Sequence, residues 1–421
     1  MSTTSTPTPV DEYARLFTEP AAWADMDAWH DKAGELRRTQ PVLRIEQEGF
    51  DPYWVLTRHA DIFAVERDSD LWLNTSQSIL MPREQWEGML AQGLPEPATL
   101  VHLDGQKHRD HRAIATPMFK ANAVAKRQER IDELADLYIE KMRELGGSCD
   151  FAKDIAQPYT LRVIMEIYGV PEEDEAMMLS LTQGLFGAAD PEFMGDAENP
   201  LESALGSVMQ FVQYFNDITA DRQACPRDDL ASVIANAEID GCPIGDLERL
   251  WYYIIVATAG HDTTSFALAG GMEALLRNPD QLALLHQDPS LAANAAEEII
   301  RWTSPVRHFL RYATRDTEVH GVPIPAGDRV LLSYPAANRD EEVFVDADRF
   351  DITRPDADKL ISFGVGAHFC LGAHFARREV RTMLSKLLPQ LERIELAGPA
   401  RWAESTFVSG VKHLPVTYRF R

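Results

Sequence analysis

Residues 246–278, DLERLWYYIIVATAGHDTTSFALAGGMEALLRN, keep helical spacing from end to end, and apolar positions run nearly all round the middle. A surface helix needs only one apolar stripe, so a helix apolar on most sides must be enclosed by other elements. At a 1.5 Å rise it would run roughly 50 Å, the width of a domain. A chain organised round such an axis has to be helix-rich and close on it as one unit. The pattern falters at its centre, where Gly260, His261, Asp262, Thr263 and Thr264 are weak helix formers at the most enclosed point. Small residues and side chains that bond to the backbone open a helical turn. The interruption reads either as a kink with locally satisfied polar groups or as a polar notch facing a reaction centre.

The rest of the chain agrees with a helical frame. Helical spacing recurs near 120–146, 158–169, 290–302 and 371–391. Strand signals are short: YWVLTR at 53–58, the alternating Pro/Gly-punctuated run 317–334, and VKHLPVTYRF at 411–420. No repeat or inter-domain linker interrupts them. The expected architecture is mainly α (α+β), one domain over residues 11–421 with small sheets and a long central buried helix. The Ser/Thr/Pro-rich start, MSTTSTPTPV, reads as a disordered tail over residues 1–10.

Charge and cysteine usage narrow the setting. A formal net charge of −25 opposes nucleic acid or an anionic membrane as main partner. The strongest apolar run, LWYYIIVATAG, is too short to span a bilayer. The four cysteines, Cys149, Cys225, Cys242 and Cys370, are scattered, so neither a disulfide framework nor a zinc site is indicated. A reducing cytoplasm fits, and leaves Cys370 available as a thiolate.

FGVGAHFCLG, 363–372, gathers Gly364, Gly366 and Gly372 round Cys370. Glycine allows positive φ or close approach, so something large is expected to lie against this loop. The helical spacing that follows puts Cys370 at or just before a helix N-terminus, where the dipole and free N–H groups lower a thiol pKa. A single thiolate suits the axial site of a haem iron better than zinc; a buried inert cysteine is the bland alternative. Glu298 and Arg301, at i and i+3, share a helix face and read as a buried pair that fixes geometry or as a common surface pair. His108 and Arg112 share another face, suited to a carboxylate partner or simply solvated.

Taken together, F-G-x-G-x-H-x-C-x-G (363–372), A-G-x-D-T-T (259–264), E-x-x-R (298–301) and D-R-F (348–350) resemble the cytochrome P450 family in order and spacing, from about residue 11 to the end. The resemblance implies a haem-thiolate monooxygenase with haem b, Cys370 as the iron ligand, and Phe363, Gly364, Gly366 and Gly372 shaping its loop. It implies that Asp262 and Thr263 form the acid–alcohol pair that delivers protons for O2 activation. Glu298, Arg301 and Arg349 resemble the network that brace the cysteine loop. His108, Arg112, Arg311 and His368 match positions that hold the haem propionates.

The likeness is greatest to soluble bacterial members that hydroxylate monoterpenoids, through AGHDTTS, LSYPAANRDEEVF, FDITR and FVSGVKHLPV. A small hydrophobic substrate is expected, a monoterpenoid or alkyl-aromatic compound, walled by Ile255, Ala259, Val306, Phe309, Phe407 and Val408. Residues 76–100 are expected to form a mobile lid, with Ile79 and Leu80 in contact. Electrons are expected from a separate [2Fe–2S] ferredoxin with its NAD(P)H-dependent reductase, docking by Arg377, Arg378 and Arg381. A cytoplasmic monomer follows from the family. Competing readings are a peroxide-driven peroxygenase, a monooxygenase of fatty acids or steroids, and a non-catalytic haem sensor or carrier.

Overall fold

The computed structural model describes residues 9–75, 77–91, 93, 95–186, 190–193 and 200–421. The disordered tail expected over 1–10 lies outside them as far as residue 8; Pro9 and Val10 already open the helix Pro9–Thr18.

The central pattern folds as two helices, Asp246–Ala259 and Asp262–Arg277. The expected single helix is thus broken where its formers are weakest. Gly260 is required there: a Cβ on it would sit 2.5 Å from Ile164 Cγ1, on the crossing helix Gln157–Tyr168. Thr160 of that helix donates its hydroxyl to the His261 carbonyl at 3.2 Å, so the break is clamped by a neighbour. The downstream half is buried almost continuously from Thr264 to Leu275, as a helix apolar on most sides must be. Gly270 and Gly271 let Thr303 and Ile299 of the helix Ala292–Thr303 pack against its backbone. The cysteine helix, Ala373–Leu387, packs against the same elements and shares their core.

A five-stranded sheet stands beside this helical body, in the order Val42–Ile45, Tyr53–Leu56, Arg329–Ser333, His308–Ala313, Trp72–Leu73. Its one parallel pairing sets Leu331 opposite Val55; the other pairings are antiparallel. Arg329–Ser333 is buried along its whole length, as a central strand covered on both faces should be. The run expected to be extended at 317–334 supplies that strand and a hairpin, Thr317–Val319 with Val322–Ile324. Its two-residue turn, His320–Gly321, has positive φ at both positions, the geometry that two-residue hairpins favour. A smaller sheet joins Leu391–Leu396, Pro415–Phe420 and Ser148–Asp150, so the C-terminal run is tied to the middle of the chain. Among the described residues no helix is long and apolar enough to cross a membrane.

Candidate active site

A single cavity brings the expected residues together. Cys370, Phe363, Gly364 and Gly372 line one wall; Ile255, Ala259, Gly260, Thr263 and Thr264, from the break in the central helix, line the other. His108, Arg112, Arg311 and His368 also line it, together with Val306 and Phe309.

The cysteine wall is held by its own backbone. The Cys370 N–H donates to the Phe363 carbonyl at 2.8 Å, and Gly372 caps the helix Ala373–Leu387. Gly364 and Gly366 take positive φ, 64° and 72°. What presses on them is protein: a Cβ on Gly366 would lie 2.5 Å from the Glu66 carbonyl oxygen, and one on Gly364 3.1 Å from Glu66 Oε1. The close neighbour expected from the sequence is therefore the helix His59–Arg67 at these two glycines. Burial pushes the Cys370 thiol above its ordinary value, against the Gly372 and Ala373 N–H groups and the Arg112 and Arg377 guanidinium groups. The lowered pKa expected from the helix terminus is corrected: the terminus is present, but desolvation of the thiolate outweighs it.

The rim carries the cationic residues. His108 stacks on His368 with ring centroids 4.0 Å apart. Burial, then His368 and Arg112, hold the His108 imidazole down at about 4, and its Nε2 has no hydrogen-bond partner. His368 lies 3.0 Å from Asn74 Nδ2, with Asp104 3.7 Å away. Arg112 Nη2 donates to the Phe369 carbonyl at 2.5 Å, beside Cys370. Arg311 is held by its own strand and by Glu66, donating to the Leu310 carbonyl at 2.9 Å and to Glu66 Oε1 at 3.1 Å.

Behind the loop, Glu298 and Arg301 form a bidentate pair at 2.7 and 2.8 Å, both with 0 % of the side chain exposed. The third member of this network is Arg354, whose guanidinium lies 3.2 Å from Glu298 Oε2. Arg349 is exposed and contributes only its backbone carbonyl, to Arg301 at 3.3 Å. The sequence assignment of Arg349 is corrected accordingly: Arg354 is the buried arginine, its guanidinium donating to the Asp346 and Arg349 carbonyls at 3.0 and 2.7 Å. Asn338 carries the brace to the cysteine loop. Its carbonyl accepts from Arg301 at 2.6 Å, its Oδ1 from the Ile361 N–H at 2.9 Å, and its Nδ2 donates to Ser362 Oγ at 2.8 Å.

On the opposite wall, Thr263 Oγ1 donates back to the Ala259 carbonyl at 3.0 Å. Asp262 is 7 % exposed and turns its Oδ1 to within 3.0 Å of His261 Nδ1, though neither atom makes an aligned hydrogen bond. His261 Nε2 lies 2.6 Å from Thr182 Oγ1.

Of the expected pocket residues, Ile255, Ala259, Val306 and Phe309 line the cavity. Phe407 and Val408 stand behind them: Phe407 meets Phe309 at 5.4 Å between centroids, and Val408 is bridged to Val306. Ile79 and Leu80 are not brought to it. Leu80 is buried with Tyr53, Leu310 and Leu331, because Ser78 and Leu80 are hydrogen-bonded to Leu310 and His308 along the sheet edge. The segment expected as a lid carries the helix Arg83–Ala91; Ser76, Gln92 and Leu94 fall outside the described residues. Glu66, Asn338 and Arg354 are site residues that sequence reasoning missed; Asn338 lies in LSYPAANRDEEVF and Arg354 in FDITR, whereas Glu66 lies in no such segment.

The cytochrome P450 family model matches residues 82–395. Among curated relatives, Cytochrome P450-terp of a Pseudomonas species is 39% identical over 419 residues, covering 97% of both chains. Linalool 8-monooxygenase of Pseudomonas putida is 32% identical, covering 92% of this chain and 95% of that one, and a steroid C26-monooxygenase of Rhodococcus jostii is 31% identical, covering 96% and 84%. Among solved structures, CYP108D1 from Novosphingobium aromaticivorans superposes with a TM-score of 0.90 at 36% identity, covering 99% of this chain and 100% of that one.

Proposed function

The chain belongs to the cytochrome P450 family, haem-thiolate monooxygenases whose cofactor is haem b, and we propose that Cys370 is its iron ligand in the hydroxylation of a small, largely apolar substrate. The observation that carries this reading is the placing of Cys370 in one wall of an apolar cavity with Thr263 in the other. The bound haem supplies the oxygen chemistry, since a thiolate ligand donates electron density that favours O–O cleavage.

The residues present suit that group. The sulfur receives backbone N–H groups from Gly372 and Ala373, the donor set a thiolate needs once a cation displaces its proton. At the rim, Arg112 and Arg311 are cations and His108 Nε2 is a buried polar atom without a partner, so a carboxylate-bearing edge would find donors there. His368 completes this set of propionate contacts. Phe363 packs beneath the loop with the Arg377 guanidinium 4.5 Å from its ring centre. Thr263 holds a hydroxyl in the cavity and Asp262 an acid one residue away, and together they move protons inward while apolar walls exclude bulk water.

A monoterpenoid or alkyl-aromatic substrate fits walls made by Ile255, Ala259, Val306 and Phe309. The names of the relatives, one a linalool and one a steroid monooxygenase, leave two sizes to be separated by measurement. An optical titration of the ferric protein does so. A low-to-high-spin shift with monoterpenoids or alkylbenzenes alone supports the small-substrate reading; a response only to steroids or fatty acids overturns it. The acid–alcohol pair argues against a peroxide-driven enzyme, which needs no delivered protons, and against a carrier.

Electrons come, on this reading, from a [2Fe–2S] ferredoxin and its NAD(P)H-dependent reductase. Of the three arginines after Cys370, Arg377 is paired with Glu297 at 2.7 Å, Arg378 is bonded to Gln128, and Arg381 is exposed. Arg381→Glu should slow reduction by an acidic ferredoxin at low salt and leave reduction by dithionite unchanged. A cytoplasmic monomer accords with this scheme.

A further inference from the structure

Glu66 has no part in the scheme above, yet it touches the Cys370 loop, Tyr334 and Arg311. It lies in the helix His59–Arg67, is 5 % exposed, and lines the cavity. Its Oε2 accepts the Val365 N–H at 2.8 Å, inside the loop that carries Cys370. Its Oε1 accepts the Tyr334 hydroxyl at 2.6 Å and the Arg311 guanidinium at 3.1 Å. All three partners donate, so the site is built for an ionised carboxylate. Burial raises the Glu66 carboxyl above its ordinary value, and Arg311, Tyr334 and the Val365 N–H, which all favour the charged form, offset that in part. The loop is also fitted to Glu66 sterically, through the bare backbone of Gly364 and Gly366.

We propose that Glu66 is a positioning residue for the haem: its carboxylate seats the Cys370 loop on the His59–Arg67 helix and offsets the Arg311 charge at the rim. Two consequences follow. The seat keeps the ligand loop in register, so Glu66 contributes to haem retention. The buried negative charge opposes the arrival of an electron on the iron, so Glu66 holds the reduction potential down. Arg311 is thereby a neutralised cation, shared between Glu66 and the cofactor.

Two variants separate these effects in the holoprotein. Glu66→Gln keeps size and an acceptor but removes the charge; its midpoint potential should rise by about 59 mV, tenfold in the one-electron equilibrium. Glu66→Asp keeps the charge but withdraws it by one methylene from Val365; its potential should hold while haem passes to apomyoglobin about tenfold faster. An unchanged or lowered potential in Glu66→Gln overturns the electrostatic part. Haem loss from Glu66→Asp at the wild-type rate overturns the seat; if Glu66→Gln does not fold, Glu66→Ala, which also removes the charge, decides the electrostatic part by the same rise in potential. The inference rests on Cys370 as the iron ligand. That reading fails if Cys370→Ser keeps a thiolate-type ferrous carbonyl spectrum, whereas the Glu66 inference fails on variants that retain it.

Discussion

The loop of Cys370 is held from two sides: Glu66 grips Val365, and the Glu298–Arg301–Arg354 network reaches Ile361 and Ser362 through Asn338. The facing wall is built differently. There the helix is interrupted, Thr263 bonds back across the break to the Ala259 carbonyl at the end of the preceding helix, and His261 Nδ1 stands 3.0 Å from Asp262 Oδ1 without an aligned hydrogen bond. One wall has its polar valences committed to fixing a position; the other keeps some uncommitted inside a dry site. Division of this kind suits a reaction in which the metal ligand must stay still while protons travel.

The comparison is broken most severely by removing the ligand itself. Cys370→Ser should abolish the thiolate-type carbonyl spectrum and reduce hydroxylation below detection. Next, Arg301→Met should cost about 3–5 kcal/mol, because it takes the bidentate partner from the fully buried Glu298 carboxylate and leaves Arg354 and the Asp351 N–H to hold it. Loss of that pair should be read in urea melts and in poor haem incorporation. On the other wall, Thr263→Ala should leave folding intact and cut product formed per NADH about tenfold while oxygen uptake continues. Unchanged coupling would sink the role given to Thr263. The smallest effect sharpens the network: Arg349→Ala should change stability by less than about 0.5 kcal/mol, since only its backbone takes part. Arg354→Met, by contrast, should destabilise measurably.

Acid should weaken the fold through a buried histidine. His308 is buried and held at about 4 by desolvation, with its Nε2 accepting the Leu80 N–H. The unfolded chain binds this proton from about pH 6.5 downward and the folded chain only near 4, so stability falls as pH drops through that window, by up to about 3 kcal/mol. His308→Gln keeps the acceptor and should flatten that slope between pH 6.5 and 4.

The helical frame and the polar break were legible because they depend on local spacing and on weak helix formers in one stretch. Cys370, Thr263, Glu298 and Arg301 were legible because their motifs are contiguous. Glu66 was not: HADIFAVER shows a helix and nothing about a loop some three hundred residues further on. Arg349 and Arg354 are the same residue type in one short segment, and what separates them is packing: Arg354 is held inside by the Val345, Asp346 and Arg349 carbonyls. Leu80 was expected at the substrate because its segment looked like a cover; its backbone bonds to the sheet edge decided otherwise.

The parallel pairing of Tyr53–Leu56 with Arg329–Ser333 also governs how the protein comes into being. At ribosomal rates of about 5–20 residues per second, the early strand waits roughly 15–55 s for its partner. Closing so long a loop comes late and slows folding. Until then Tyr53–Leu56 has only its antiparallel neighbour, and its other edge is open to foreign strands. Glu66 waits longer still for Val365. A nascent chain therefore cannot capture its cofactor piecemeal: the cradle closes only when nearly the whole sequence has been made, and a chain truncated before Arg329 is left with a strand paired on one edge and nothing to hold.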